Sequence, residues 1–257
     1  MMDCLPTLIP PELGALAAAV LLLGAIVTSF VTASFGAGGG VLLLALMTLF
    51  MPVATVIPLH GVIQAGSNVG RVALMWRHIQ WPILLAFAIG AVIGAAAGSR
   101  LLVGLPQAAM ELALGAFILW SCWGPMPHLP QGSNARLGLG GAVTSALTLF
   151  VGATGPFVAA FLRGMRLNRL HHVGTFSACM VTQHGLKILV FALLGFGFAP
   201  YVPFLVAMFV FGFLGTWLGR LVLERMDDQL FWRILAVVLT LIALRLLYSG
   251  GRELMGG

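Results

Sequence analysis

The sequence predicts an all-α, polytopic membrane protein: about eight transmembrane helices in two four-helix repeats, with helices broken at Gly-rich segments. Three observations carry this expectation. Of 257 residues, 60% are hydrophobic and only 8% charged, against about 25% charged in a soluble domain, and mean hydropathy is +1.07. That leaves too little polar surface to coat a compact core, so lipid must replace it. Apolar stretches recur along the whole chain, each near the roughly 20 residues a helix needs to cross a bilayer. Each half of the chain also has one apolar run interrupted by glycines. A large extramembrane catalytic or nucleic-acid-binding domain has no room.

In order, the candidate spans are 13–35, 54–76, 82–103, 107–123, 137–162, 172–197, 202–223 and 229–248, each bounded by Pro, Gly or charge. The first leads from MMDCLP, which has no basic stretch before its apolar run, so it is expected to stay in the mature protein rather than be cleaved as a signal peptide. It ends at FGAGGG, 35–40. The second carries His60, Gln64, Ser67, Asn68 and Arg71. The fourth holds Glu111 early, after Pro106, where a helix N-terminus favours an acid. The segment 124–136, GPMPHLPQGSNAR, reads as a linker. It divides a first repeat, 1–123, from a second, 137–257. The fifth span contains VGATGP, 151–156, and the sixth carries Ser177, Thr182, Gln183, His184 and Lys187.

The halves align. FGAGGG falls on VGATGP at an offset of 116 residues, which also places Asn68 on His184 and Arg71 on Lys187; after a shift to 121, Gly94 meets Gly215 and Gly98 meets Gly219. Internal symmetry of this kind recurs in secondary transporters. Four crossings per half imply an axis along the membrane normal; re-entrant Gly-rich segments would make the count odd and the repeats inverted.

The net charge of +6 comes from 13 basic residues scattered between apolar blocks, so topology and an anionic substrate explain it better than nucleic acid. Arg163, Arg166 and Arg169 with Arg220 and Arg225 mark the cytoplasmic side. Both termini are then expected outside the cytoplasm. Cys4, Cys122 and Cys179 are far apart, show no metal-ligand spacing, and read as small apolar fillers.

Two constellations could carry chemistry. The first is the pair of breaks, Gly36, Gly38, Gly39 and Gly40 in one half and Gly152, Thr154, Gly155 and Pro156 in the other. Glycine is costly within a helix and Pro156 has no amide hydrogen. Unpaired backbone survives at membrane depth only against protein or a polar cavity, where its amides and a fresh helix N-terminus suit an anion. Close helix packing through small residues is the alternative. The second is Arg71 and Lys187. A cation in the bilayer should face water, a counter-charge or a bound anion, although Arg71 lies near enough to its span's end to snorkel. Gln64, Asn68 and Arg71 share a helical stripe, and Gln183 and His184 stand beside Lys187. Such residues suit an oxyanion, or hold helices together. No Walker loop, metal cluster or nucleophile with its base is legible.

The residues SFGAGGGVLLLAL, TSALTLFVGATGPFVAAFL and RLHHVGTFSACMVTQHGLKILVF resemble the TauE/SafE family of sulfite exporters and related anion permeases, over about 30 to 250. The resemblance implies transport of sulfite, sulfonates, thiosulfate or similar anions across the bacterial inner membrane. It also implies that residues 36–40, 152–156 and the polar stripes of spans two and six line the pathway. The expected function is thus secondary export by alternating access, with no cofactor or metal. The partners are a small anion and the lipid bilayer, with a homodimer left open. An intramembrane lipid-modifying enzyme is short of carboxylates within the spans, where only Glu111 qualifies and a helix N-terminus accounts for it. A cation channel would want acidic rather than basic residues there.

Overall fold

The computed structural model describes residues 9–10, 12–35, 38–102, 105–125, 134–163, 165, 167–222 and 228–255, with backbone alone at 33–35, 134, 163, 169, 220–222, 228–232, 234 and 235. Gly36, most of the linker, Arg166 and Arg225 lie outside the described residues.

Among the described residues every regular element is helical. The α-helices are α1 (Ala15–Phe35), α2 (Gly39–Met47), α3 (Val53–Met75), α4 (Trp81–Leu102), α5 (Gln107–Trp123), α6 (Asn134–Val151), α7 (Gly155–Arg163), α8 (Arg169–Leu193), α9 (Val202–Val222) and α10 (Asp228–Leu254). Four are long and apolar enough to cross a membrane by length and composition: α1, α4, α8 and α9, the last counted with the short turn before it. Their outer faces carry exposed Leu85, Ile89, Val92 and Ile93 on α4 and Val206, Val210, Phe213 and Trp217 on α9. In water these faces would be a large penalty; in lipid they are the solvent-matched surface.

The Gly-rich segments do break their helices. Gly38 has φ 95° and Gly152 φ 74°, a left-handed conformation that glycine adopts without the steric cost of a Cβ. After each break the chain folds back. In the first half Gly39 lies against Thr28 and Leu46 against Gly24, so α2 runs antiparallel to α1. In the second, Thr154 reaches Thr144 and Phe161 packs on Gly140, so α7 runs antiparallel to α6. Both returning helices have nine residues, about 13 Å at 1.5 Å per residue, too short to cross. The expected fifth span, 137–162, is therefore two helices. The stretch after the first span, assigned to no element above, forms α2. Its nine residues fall below a spanning length, which is why a search for spans passes over it.

Helix starts at 39, 53, 81 and 107 and at 155, 169, 202 and 228 stand at offsets of 116 and then 121. The packing crosses between the halves. Helix α4 lies parallel to α6, with Gly90 on Gly138, Gly94 on Ala142 and Gly98 near Ala146, so close that backbone meets backbone. Helix α1 lies beside α9, with Tyr201 donating to Glu12 and Gly215 on Ile26. Helices α3 and α8 are antiparallel: Gly61 faces Lys187 and Gly174 faces Met75. So are α5 and α10, where Trp123 Nε1 donates to Thr240 Oγ1 at 2.8 Å and Gly250 packs on Ala108 and Glu111.

Two smaller expectations need correction or detail. Glu111 does not cap α5; it sits beyond the first turn, which begins at Gln107, and accepts from the Gln107 amide at 3.1 Å. Cys179 is free and buried among Ile83, Phe87 and Met180, as a small apolar filler would be.

Candidate functional site

The two breaks meet. A Cβ on Gly152 would touch Leu44 of α2 and Ile57 of α3, so the second break abuts the first hairpin. Between them lies a cavity of about 50 Å³. One water takes about 10–15 Å³ on the same scale, so it holds a few waters or one small oxyanion.

The cavity has four sources. The first break supplies Gly38 and Gly40, with Thr32 behind them; the second supplies Ala153, Gly155 and Pro156; α3 supplies His60, Gln64, Asn68 and Arg71; α8 supplies Phe176, Met180 and His184. On α3 the spacing is 4, 4, 3, a single helical stripe. Asn68 Nδ2 donates to the Gln64 carbonyl at 2.8 Å, and its Oδ1 is buried without a partner; so is His184 Nδ1. Arg71 Nη2 donates to Ser67 Oγ at 3.1 Å, within its own helix. It has no carboxylate partner among the described residues.

Not every expected residue reaches the cavity. Gly39 packs on the Thr28 carbonyl. Thr154 Oγ1 donates to Gln183 Oε1 at 2.9 Å, and Gln183 Nε2 to Ser145 Oγ at 3.4 Å, an interior network that fastens the second break to α6 and α8. Lys187, 0% exposed, donates from Nζ to the Gly152 carbonyl at 2.8 Å. It stands behind the cavity wall and satisfies a carbonyl that the break leaves outside any helix. Arg71 and Lys187 share an offset in sequence but not a place in space: antiparallel packing sends them to opposite ends of the α3–α8 contact.

The residue that ties these parts together is His60, noted in the sequence only as a polar neighbour. Its Nε2 lies 2.9 Å from the Gly40 carbonyl and its Nδ1 3.2 Å from the Gly152 carbonyl. One ring thus bridges both breaks. Gln64 Nε2 is 3.2 Å from His60 Nε2, and the His184 ring stands edge-on to His60 with centroids 6.0 Å apart. The described residues contain no group of three metal-ligating side chains.

The model of the sulfite exporter TauE/SafE family matches residues 20–246. The chain belongs to the TauE/SafE family. No curated protein and no solved structure matches it. TauE/SafE membership makes the chain a multi-pass membrane transporter of the sulfite-exporter kind, and the apolar outer faces of α4 and α9 agree with that. The match spans both breaks and all the cavity residues named above. Beyond the TauE/SafE motifs, Phe176, Met180 and Thr32 carried no sequence signal, since apolar and small polar residues on a membrane helix look alike whether they line a cavity or a neighbour.

Proposed function

We propose that this TauE/SafE member exports a small sulfur-containing anion, of the sulfite, sulfonate or thiosulfate class, from the cytoplasm across the bacterial inner membrane, binding it in the cavity between the two breaks. The observation that carries this reading is the cavity's composition: both breaks and both central helices converge on it, and it holds Arg71 without a described carboxylate partner. Arg71 lines the cavity with its hydrogen bonds among the described residues going only to neutral Ser67, and here a bound anion supplies the counter-charge. The membrane potential of a cell negative inside expels anions at about 2.3 kcal/mol per charge per 100 mV, which suffices as a driving force. Both termini lie in the periplasm.

Transport proceeds by alternating access about two inverted repeats, 1–123 and 137–257. The regular offsets of the helix starts, 116 and then 121, and the antiparallel α3–α8 and α5–α10 pairs support this relation, because antiparallel equivalents require an axis in the membrane plane. Flux of labelled sulfite from proteoliposomes tests the reading. Arg71→Gln should lower it at least about tenfold, a loss of 1.4 kcal/mol or more; undiminished flux would refute the site.

A further inference from the structure

The surroundings of His60 contain one more acceptor than a neutral imidazole can serve. Its two ring nitrogens face two carbonyl oxygens, Gly40 O at 2.9 Å and Gly152 O at 3.2 Å, and a carbonyl can only accept. A neutral ring carries one N–H; only the imidazolium carries two. Gln64 offers the alternative for the neutral ring: its amide nitrogen, 3.2 Å away, donates to a bare Nε2. The Gly152 carbonyl already accepts from Lys187 Nζ at 2.8 Å. A charged His60 would therefore place a second cation one carbonyl away from the first. Lys187 and His184 of α8 are the titratable groups that face His60; α2 and the described side chains of α7 bring none. No carboxylate among the described residues offsets the pair.

Resting on the reading of the cavity as an anion site, we propose that the anion binds together with one proton, which His60 takes from water. Two neighbouring cations without a carboxylate are tolerated once an anion lies beside them, and the cavity that would hold that anion is lined by the His60 ring. Gln64 couples the two events. While Nε2 is bare, the Gln64 NH₂ group is engaged by it. When the proton arrives, Nε2–H donates to the Gly40 carbonyl, and the Gln64 amide turns over so that its oxygen faces the ring. Its NH₂ then points into the cavity as a donor to the anion. By linkage, a proton that favours the anion is favoured by it to the same degree. A divalent anion carried with one proton still moves one negative charge outward, so the membrane potential still drives its export.

Calorimetry of thiosulfate binding to the full chain in detergent tests this, because thiosulfate itself does not titrate near neutral pH. Run near pH 7 in two buffers of different ionisation enthalpy, the heats report protons exchanged per anion. The parent should take up close to one, with affinity falling by up to about tenfold per pH unit above that. In His60→Gln, binding should proceed with no proton uptake and a flat pH profile, while His184→Gln should keep the uptake. Binding by the parent without proton uptake would overturn the coupling alone. Uptake kept in His60→Gln and lost in His184→Gln would overturn its assignment to His60. No thiosulfate binding at all would overturn the sulfur-anion reading and the coupling with it.

Discussion

Helices α3 and α8 are antiparallel partners of 23 and 25 residues, and each turns three residues at the same spacing to the cavity: His60, Gln64 and Asn68 on one, Phe176, Met180 and His184 on the other. The positions match at an offset of 116, yet the chemistry does not. On α3 the polar residues face the cavity. On α8 the strongest polar groups stand one position round the helix, Gln183 holding Thr154 and Lys187 holding the Gly152 carbonyl. One helix turns its polar groups to the cavity, whereas its counterpart uses them to fix a broken backbone. Two helices with matching positions can thus share a geometry while differing in which side chains they turn to the cavity.

The sharpest way to break this contrast is to alter the matching position on each wall, with a negative charge on the α3 side and a polar group on the α8 side. Gln64→Glu places a carboxylate against the anion, a like-charge contact worth several kcal/mol, so sulfite flux should fall by about 100-fold or more. Met180→Gln, on the other wall, should change it less than about fivefold, a difference near 1 kcal/mol. Equal losses would mean that both walls bind alike.

The two cations come next. Lys187→Ala opens a cavity and removes a donor from a buried carbonyl, at about 2–4 kcal/mol of stability, seen as a lower melting temperature in detergent. Arg71→Ala should leave stability within about 0.5 kcal/mol, as for a partly exposed side chain, while flux drops. The reverse pattern would exchange their roles. A smaller effect distinguishes two glycines. A Cβ at Gly61 lies 2.6 Å from Lys187 Cε, so Gly61→Ala should cost about 1 kcal/mol of overpacking. Gly185 of α8 has nothing within 4 Å, so Gly185→Ala should stabilise by about 0.5–1 kcal/mol through helix propensity. Both are read from detergent melting.

The sequence made the breaks legible because glycine and proline act locally: Gly38, Gly152 and Pro156 announce a helix end wherever they stand. The polar stripe of α3 was equally plain from its period. Two things were not. Helix α2 is apolar throughout and only nine residues long, so neither period nor length separates it from a loop. His60 gains its role from carbonyls 20 and 92 residues away, a relation that no spacing encodes. Lys187 was visible as a buried cation, but a cation in the bilayer can meet an anion or a carbonyl, and only the packing of Gly152 decides between them.

The seams of α4 on α6 and α1 on α9 also bear on how the chain is made. When residues 1–123 have left the ribosome, α1 and α4 are complete and neither has its partner. The glycines at 90, 94 and 98 then face lipid or the insertion machinery, with no backbone to rest on. The first half must wait in the membrane, and α6, the first helix after the linker, is also the first to close one of its open seams. Both helix seams therefore cross the linker, and neither 1–123 nor 137–257 covers its own glycine faces at these seams.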